Sequence, residues 1–244
     1  RTLVGVSDHN GVEPFFQALA VAGLLVAFAV AEREMPIWEV VAERDFDAVR
    51  SSTTWAAVAG VVTALYMWVW PPGVLLVAIL GAFVLVKMAS DVANDKSPEP
   101  TAYAAAVSMG VTALLMLVQI DELGFSATSF SLAQPFIALT VGAGAVFLAW
   151  LARQWEARDL GSNTYPAAVG GLILASAGFV WLALPSLWST IVGNLLNTVA
   201  FSASAGARTI GEAQPPLQGA SFSNFVLSQY GLAFFLALAA VLYI

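Results

Sequence analysis

Two short polar stretches carry the residues of this chain that are best suited to metal binding and acid–base chemistry. The first is Asp8-His9-Asn10-Gly11-Val12-Glu13, which precedes a long apolar segment and contains the only histidine of the chain. The second is Arg208-Thr209-Ile210-Gly211-Glu212, which is followed by two prolines at positions 215 and 216. Carboxylate and amide oxygens are the ligands that hard divalent cations such as Mg²⁺ and Mn²⁺ prefer. Placed on one surface of the protein, the two stretches would form a shared Mn²⁺ or Mg²⁺ site.

Both stretches also have a purely structural interpretation. Asp8 and Asn10 could cap the helix that follows, because Asp and Asn side chains accept hydrogen bonds from the free N–H groups at a helix start. Glu13 would then lie in the first turn, where the helix dipole favours a negative charge. Glu212, with prolines after it, is equally compatible with an exposed loop. The residues alone leave capping and metal binding open.

The composition is that of an integral membrane protein. Hydrophobic residues make up 59% of the chain and charged residues 10%, whereas about a quarter of the residues of a soluble domain are charged. The formal net charge of -7 arises mainly from acidic residues in short loops beside Lys and Arg. The absence of cysteine excludes disulfides and thiolate metal sites. We expect membrane lipid as a partner and no nucleic acid.

Seven apolar segments are long enough to cross a bilayer, which takes about 20 helical residues. They cover residues 14–31, 53–70, 73–93, 103–120, 135–151, 166–184 and 225–244. In lipid the backbone must satisfy its own hydrogen bonds, and no segment alternates polar with apolar residues as a barrel strand does. The sequence therefore predicts an all-α integral membrane fold with about seven transmembrane helices.

The positive charges orient these helices. Seven of the nine Lys and Arg residues fall in three alternate connections, at 32–52, 87–102 and 152–165. Cytoplasmic loops carry an excess of Lys and Arg, so these connections are predicted to be cytoplasmic. Both polar stretches then lie on the extracellular face of a multi-pass protein of the cell membrane.

Two connecting segments can each be interpreted in two ways. Residues 37–50 could form an amphipathic helix on the cytoplasmic surface or a charged loop. Residues 125–130, on the opposite face, could contact lipid or merely connect two spans.

In this order and with this number of helices between them, the two polar stretches resemble motifs of the oligosaccharyltransferase catalytic subunits in their archaeal form. Asp8-His9-Asn10-Gly11-Val12-Glu13 is similar to the family's Asp-His-His-x-x-Glu element. Thr209-Ile210-Gly211-Glu212 matches its Thr-Ile-x-Glu element at every fixed position. Tyr66-Met67-Trp68, followed by Trp70 and Pro-Pro-Gly, is similar to an aromatic Tyr-Leu-x-Trp run that ends a helix between them.

The resemblance implies a GT-C-like membrane glycosyltransferase domain that transfers an oligosaccharide from a dolichyl phosphate or pyrophosphate to the Asn of an Asn-x-Ser/Thr sequon. It implies that Asp8 and Glu212 are catalytic residues. It also implies a Mn²⁺ or Mg²⁺ ion held by Asp8, Glu212 and the position of Asn10. Asn10 replaces an acidic residue or histidine of the family, so His9 is an alternative ligand. Arg208 and Thr209 are predicted to bind substrate.

The family has two further parts that this sequence lacks, an Asp in the first external loop and a C-terminal soluble domain with a Trp-Trp-Asp motif. We therefore expect residues 1–244 to be a partial transmembrane domain, with external loops at 1–13 and 185–224, that is inactive alone. A polytopic transporter is an alternative function, although the spans carry few deep charges and no repeat. Another glycosyltransferase that uses a polyprenyl-phosphate sugar is a second alternative, against which the Thr-Ile-x-Glu element argues.

Overall fold

The computed structural model describes residues 12–33, 39–40, 43–126, 129–186, 188–189 and 192. In these ranges six long helices follow one another: α1 Val12–Ala31, α2 Arg50–Val69, α3 Val74–Ala93, α4 Glu99–Met116, α5 Ala133–Glu156 and α6 Tyr165–Ala183. Short 3-10 turns extend four of them, at Phe46–Val49, Pro71–Gly73, Leu117–Gln119 and Ser162–Thr164. All six are long and apolar enough to cross a membrane.

The predicted all-α membrane fold is confirmed, and six of the predicted spans coincide with the six helices. The seventh, at 225–244, lies outside the described residues. The largest difference concerns α5, which was expected to end at residue 151 and continues to Glu156. Its last turn contains Arg153, a position where the helix dipole favours a positive charge. The helix therefore extends beyond the apolar stretch that marks the span in the sequence.

The helices divide between two compact units. The first unit ends at Gly171, and the second begins at Leu172, within α6. The described residues of the second unit are mainly the remainder of that helix. The contacts discussed below all lie within the first unit.

A charged triad joins three helices near one end of the first unit. Lys87 Nζ in α3 lies 2.7 Å from Glu32 Oε1, directly after α1, and 2.9 Å from Asp91 Oδ2, one turn further along α3. The Lys87 and Asp91 side chains are only 20% and 14% exposed. Thr101, at the start of α4, donates to Asp91 Oδ2 at 3.4 Å. The triad therefore neutralises a cation that lies within the span Pro71–Ala93.

The same contacts fix the directions of the helices. The ends of α1 and α3 and the start of α4 meet at the triad, so α1 and α3 run one way and α4 the other. At the opposite end, Tyr66 near the end of α2 lies against Gly73, directly before α3. We call the end at which α1 begins the Val12 end and the opposite end the Ala31 end. The antiparallel order agrees with the alternation of connections predicted from the charges.

Two helices approach each other closely where α2 crosses α4. A Cβ atom on Gly60 would lie 2.8 Å from Val111 Cβ and closer still to the carbonyl oxygen of Ser108. The buried Thr112 hydroxyl lies 3.0 Å from the Gly60 carbonyl oxygen and 2.8 Å from that of Ser108. Small residues at such crossings allow two backbones to approach in lipid, and a hydroxyl can then bond across the pair. Since α2 also packs against α1 and α4 against α5, this crossing joins two helix pairs.

We expect the substitution Gly60→Ala to lower the thermal unfolding midpoint of the purified protein in detergent, because the added methyl group must displace α4. Overpacking of this kind costs about 1–3 kcal/mol. Gly110→Ala in α4 is the matched control, since nothing lies within 4 Å of the position of its added Cβ. Equal midpoints for the two variants would contradict the tight crossing.

Candidate catalytic site

The sequence-predicted site residues lie outside the described part of the chain. They are Asp8, His9, Asn10, Arg208, Thr209 and Glu212. The structure does describe the Val12 end of the bundle, where α1 begins two positions after Asn10. It therefore defines the framework beside the first polar stretch.

Tyr66 links the start of α1 to the turn between α2 and α3. The residue is buried, with 2% of its surface exposed. Its ring lies directly over Gly73, where an added Cβ would be 2.6 Å from Tyr66 Cε1. Glu13, in the first turn of α1 as expected, interacts electrostatically with Tyr66. The acidic residue that ends the first polar stretch thus lies near the aromatic run at residues 66–68.

Proline fixes the turn on which this aromatic run ends. Trp70 has an extended backbone (φ -147, ψ 100), because a residue that precedes proline is disfavoured in the helical region. The N–H of Gly73 closes the turn by donating to the Trp70 carbonyl at 2.8 Å. Trp68 and Trp70 are partly buried and pack against the core. The indole N–H of Trp68 is buried without a hydrogen-bond partner among the described residues.

Sequence reasoning did not anticipate the proximity of Glu13 and Tyr66. Both residues belong to stretches that resemble family motifs, which is the only signal in the sequence that could have paired them. Their spatial relation depends on how α1 packs on α2, which no local pattern encodes.

The described cations are confined to one end of the bundle, although both ends carry acidic residues. Every Lys and Arg in the described ranges lies at the Ala31 end: Arg33, Arg44, Arg50, Lys87, Lys96, Arg153 and Arg158. The acidic residues described at the Val12 end are Glu13, Asp121 and Glu122. An end lined by carboxylates without nearby described cations favours the approach of a positive ion.

The described ranges contain no group of three His, Asp or Glu side chains arranged to hold a metal ion. A cavity of about 530 Å³ lies at the Ala31 end, between the connections that follow α3 and α5. Its lining mixes both signs of charge, with Lys96 and Arg153 beside Glu99, Glu156 and Asp159. Because it lies at the end opposite the start of α1, it is not part of the predicted site.

Comparison with known proteins relates this chain to one family of membrane enzymes. No protein-family model matches the chain. It is 51% identical, over 249 aligned residues, to a *Haloferax volcanii* protein called dolichyl-monophosphooligosaccharide–protein glycotransferase AglB. The alignment covers 99% of this chain and 24% of that relative. The chain therefore spans about a quarter of the length of the curated relative that it matches.

Solved structures of the *Archaeoglobus fulgidus* oligosaccharyltransferase share the fold. One is a structure of AglB in complex with an inhibitory peptide and a dolichol-phosphate. It superposes with a TM-score of 0.73 at 22% identity, and the superposition covers 99% of this chain and 28% of that one. Another is tethered to an acceptor peptide that contains the Asn-Val-Thr sequon. It has a TM-score of 0.67 at 21% identity, and the superposition covers 99% of this chain and 26% of that one. The resemblance found in the motifs thus extends along the whole segment, which is similar to about a quarter of an archaeal oligosaccharyltransferase of the AglB type.

Proposed function

We propose that this chain is the membrane-embedded part of an enzyme that transfers a dolichol-linked oligosaccharide to the Asn of Asn-x-Ser/Thr sequons. The observation that carries the proposal is the 51% identity to a named glycotransferase over 99% of this chain. That alignment spans the positions of both polar stretches. The name of the relative also favours a monophosphate over a pyrophosphate on the dolichol donor, a choice that the motifs leave open.

The proposed partners agree with those of the structural relatives. The *A. fulgidus* enzyme has been solved with a dolichol-phosphate and an inhibitory peptide, and with an acceptor peptide carrying a sequon. We infer that this protein likewise binds a lipid-linked donor from the membrane and an unfolded acceptor segment from the aqueous side.

The reaction requires an unreactive amide to act as a nucleophile. The amide nitrogen of the acceptor Asn bonds to the anomeric carbon as the bond from that carbon to the phosphate oxygen breaks, and the nitrogen loses a proton. Glu212 is suited to accept hydrogen bonds from the amide N–H groups, which orients the nitrogen and stabilises the positive charge that develops there. Arg208, two positions before Ile210, is suited to bind the phosphate of the donor.

Negative charge develops on the departing lipid phosphate. A divalent cation, when bound, would stabilise that charge as a Lewis acid. Asp8 and Glu212 would hold the ion with carboxylate oxygens, together with the amide oxygen of Asn10 or the imidazole of His9. This oxygen-rich donor set fits Mn²⁺ or Mg²⁺. A related *A. fulgidus* structure is a complex with Zn and sulfate, which supports a divalent metal without selecting among these ions.

Glycosyl transfer is favoured over the transporter alternative. Transporters bind substrates near the middle of the membrane, at interrupted helices. The described charges inside the spans lie near span ends, and the one furthest from an end, Lys87, pairs with Asp91 and Glu32 near the Ala31 end. The similarity to a protein glycotransferase also favours oligosaccharide transfer to Asn over the second alternative, another glycosyltransferase that uses a polyprenyl-phosphate sugar.

We expect Glu212→Gln in the full-length enzyme to reduce turnover on the order of 10²–10³-fold, as removal of one electrostatic contribution to a transition state does. The effect should fall mainly on kcat, because the charge acts on the transition state more than on binding. The measurement is glycosylation of a sequon peptide with the lipid-linked donor. Glu122→Gln, an exposed acidic residue at the same end of the bundle, is the control and should keep its activity. Full activity of Glu212→Gln at every Mn²⁺ concentration would refute the assigned role.

The ligand at position 10 can be identified from the metal requirement. We expect Asn10→Asp to lower the Mn²⁺ concentration that gives half-maximal activity, because a carboxylate binds the ion more tightly than an amide oxygen. Asp8→Asn should raise that concentration. An unchanged requirement in Asn10→Asp, with a raised one in His9→Ala, would assign the second ligand to His9 instead.

We further propose that the Val12 end faces the outside of the cell and the Ala31 end the cytoplasm, because the described Lys and Arg residues gather at the latter. A membrane-impermeant maleimide should then label Asp121→Cys in intact cells and Asp159→Cys only after the membrane is opened. Both residues are exposed. Labelling of the two variants under the same condition would contradict the orientation.

A further inference from the structure

The connection between α4 and α5 pairs several of its backbone groups within itself. The N–H groups of Asp121 and Glu122 both approach the Phe130 carbonyl oxygen, at 3.0 and 3.1 Å, and Leu132 N–H donates to the Gly124 carbonyl at 3.1 Å. These bonds close the segment on itself, and we call it the 120–132 loop. All of it except residues 127–128 is described. A segment that pairs its polar groups internally can enter an apolar environment without the several kcal/mol that each unpaired group would cost.

Gln134 supplies the remaining polar contacts from the first turn of α5. Its side chain is fully buried, and its amide nitrogen donates to the carbonyl oxygens of Ser126 and Ser129 at 3.3 and 2.8 Å. Its amide oxygen accepts the Ser131 N–H at 3.0 Å. The Ser131 hydroxyl in turn donates to the Ser126 carbonyl at 2.8 Å. A buried glutamine thus holds the loop against the start of α5.

The polar groups lie inside the loop, and two large apolar side chains lie outside it. Leu123 is 85% exposed and Phe125 is 68% exposed. The Phe125 ring meets the Phe136 ring edge to face, with centroids 5.4 Å apart. Because Phe136 belongs to the span Ala133–Glu156 and is itself 57% exposed, the loop folds back along a lipid-facing surface.

Further exposed apolar side chains lie at the end of the preceding span. Leu117 and Val118, at the end of the span Glu99–Gln119, are 53% and 76% exposed. Together with Leu123, Phe125 and Phe136 they form an apolar band at the Val12 end. Full burial of a Leu or Phe side chain contributes about 1.5–3 kcal/mol, so water contact across this band is unfavourable. The bilayer that surrounds both spans is the partner directly beside the band.

We propose that the 120–132 loop is an interfacial membrane anchor that inserts Leu123 and Phe125 into the acyl-chain border of the leaflet at the Val12 end. Asp121 and Glu122 remain among the headgroups, where Glu122 also accepts a hydrogen bond from the Ser129 hydroxyl at 3.3 Å. The inserted side chains fix the height of the loop, and through Gln134 the height of the start of α5, relative to the lipid surface. This role is separate from glycosyl transfer and holds whatever reaction the protein catalyses.

The depth of the loop can be measured with a nitroxide on Leu123→Cys in the full-length protein, reconstituted in vesicles of phosphatidylcholine and phosphatidylglycerol. The 244 residues contain no other cysteine, and any elsewhere in the protein are replaced. Oxygen concentrates in lipid, whereas a charged nickel chelate stays in water. The ratio of the nitroxide's collision rate with oxygen to its collision rate with the chelate therefore rises with depth in the bilayer. We expect the ratio at Leu123 to lie near that of Leu75→Cys, a 49% exposed residue in the first turn of α3. It should lie well above that of Asp159→Cys in an aqueous connection.

A second label on Phe125→Cys should give the same result. If Phe125→Cys lowers the unfolding midpoint, the proposal is judged from the collision ratio at Leu123→Cys alone. The Leu123 side chain is almost free of protein contacts, so its replacement should not disturb the fold. A ratio at Leu123 equal to that at Asp159 would place the loop in water and overturn the proposal. Low collision rates with both reagents would overturn it equally, since they would mean that protein covers the band.

Discussion

The described bundle depends on one close contact, the crossing of α2 and α4 at Gly60. Lipid provides little hydrophobic drive for helices to associate, so van der Waals contact and interhelical hydrogen bonds must supply it. At Gly60 both are present, because the absent side chain lets the backbones meet and the Thr112 hydroxyl bonds to the exposed carbonyl. The fully buried Ala56, one turn before Gly60, extends this small-residue surface along α2, and the fully buried Ala59 lies against Gly23 of α1. The pairs α1–α2 and α4–α5 are consequently held at a fixed distance.

That distance matters for the proposed site because its elements come from different helices. Glu13 belongs to α1, whereas Tyr66 and the proline turn belong to the α2–α3 connection. Glu13, the last residue of the first polar stretch, interacts electrostatically with Tyr66 of the aromatic run. The Val12 end thus combines an acidic residue from one helix with a buried aromatic side chain from another.

Much of the fold could be predicted from the sequence. Six of the seven predicted spans match described helices, and the seventh lies outside the described residues. The alternating directions of the helices followed from the placement of Lys and Arg, because each span crosses the bilayer once. The end of α5 was missed because most residues of its last turn are polar, whereas Trp155 in that turn packs against the core and donates a hydrogen bond to the Thr164 hydroxyl. The Glu13–Tyr66 proximity, the Gln134 contacts and the third member of the Lys87 triad could not be predicted, because they depend on packing between distant segments. The site itself rests on motif resemblance, so Asp8 and Glu212 remain proposals.

The Lys87 triad has a consequence for how the protein enters the membrane during synthesis. Lys87 and Asp91 are one helical turn apart, so their pair forms as soon as α3 becomes helical. A lone Lys or Asp opposes insertion of a segment, by up to about 2.5–3.5 kcal/mol at its centre, and this pair lowers that barrier without a contribution from another helix. Glu32 arrives with α1, which is made earlier, and it can bond to Lys87 only when one face of α3 turns toward it. The triad thereby selects the rotation of α3 at the moment of assembly.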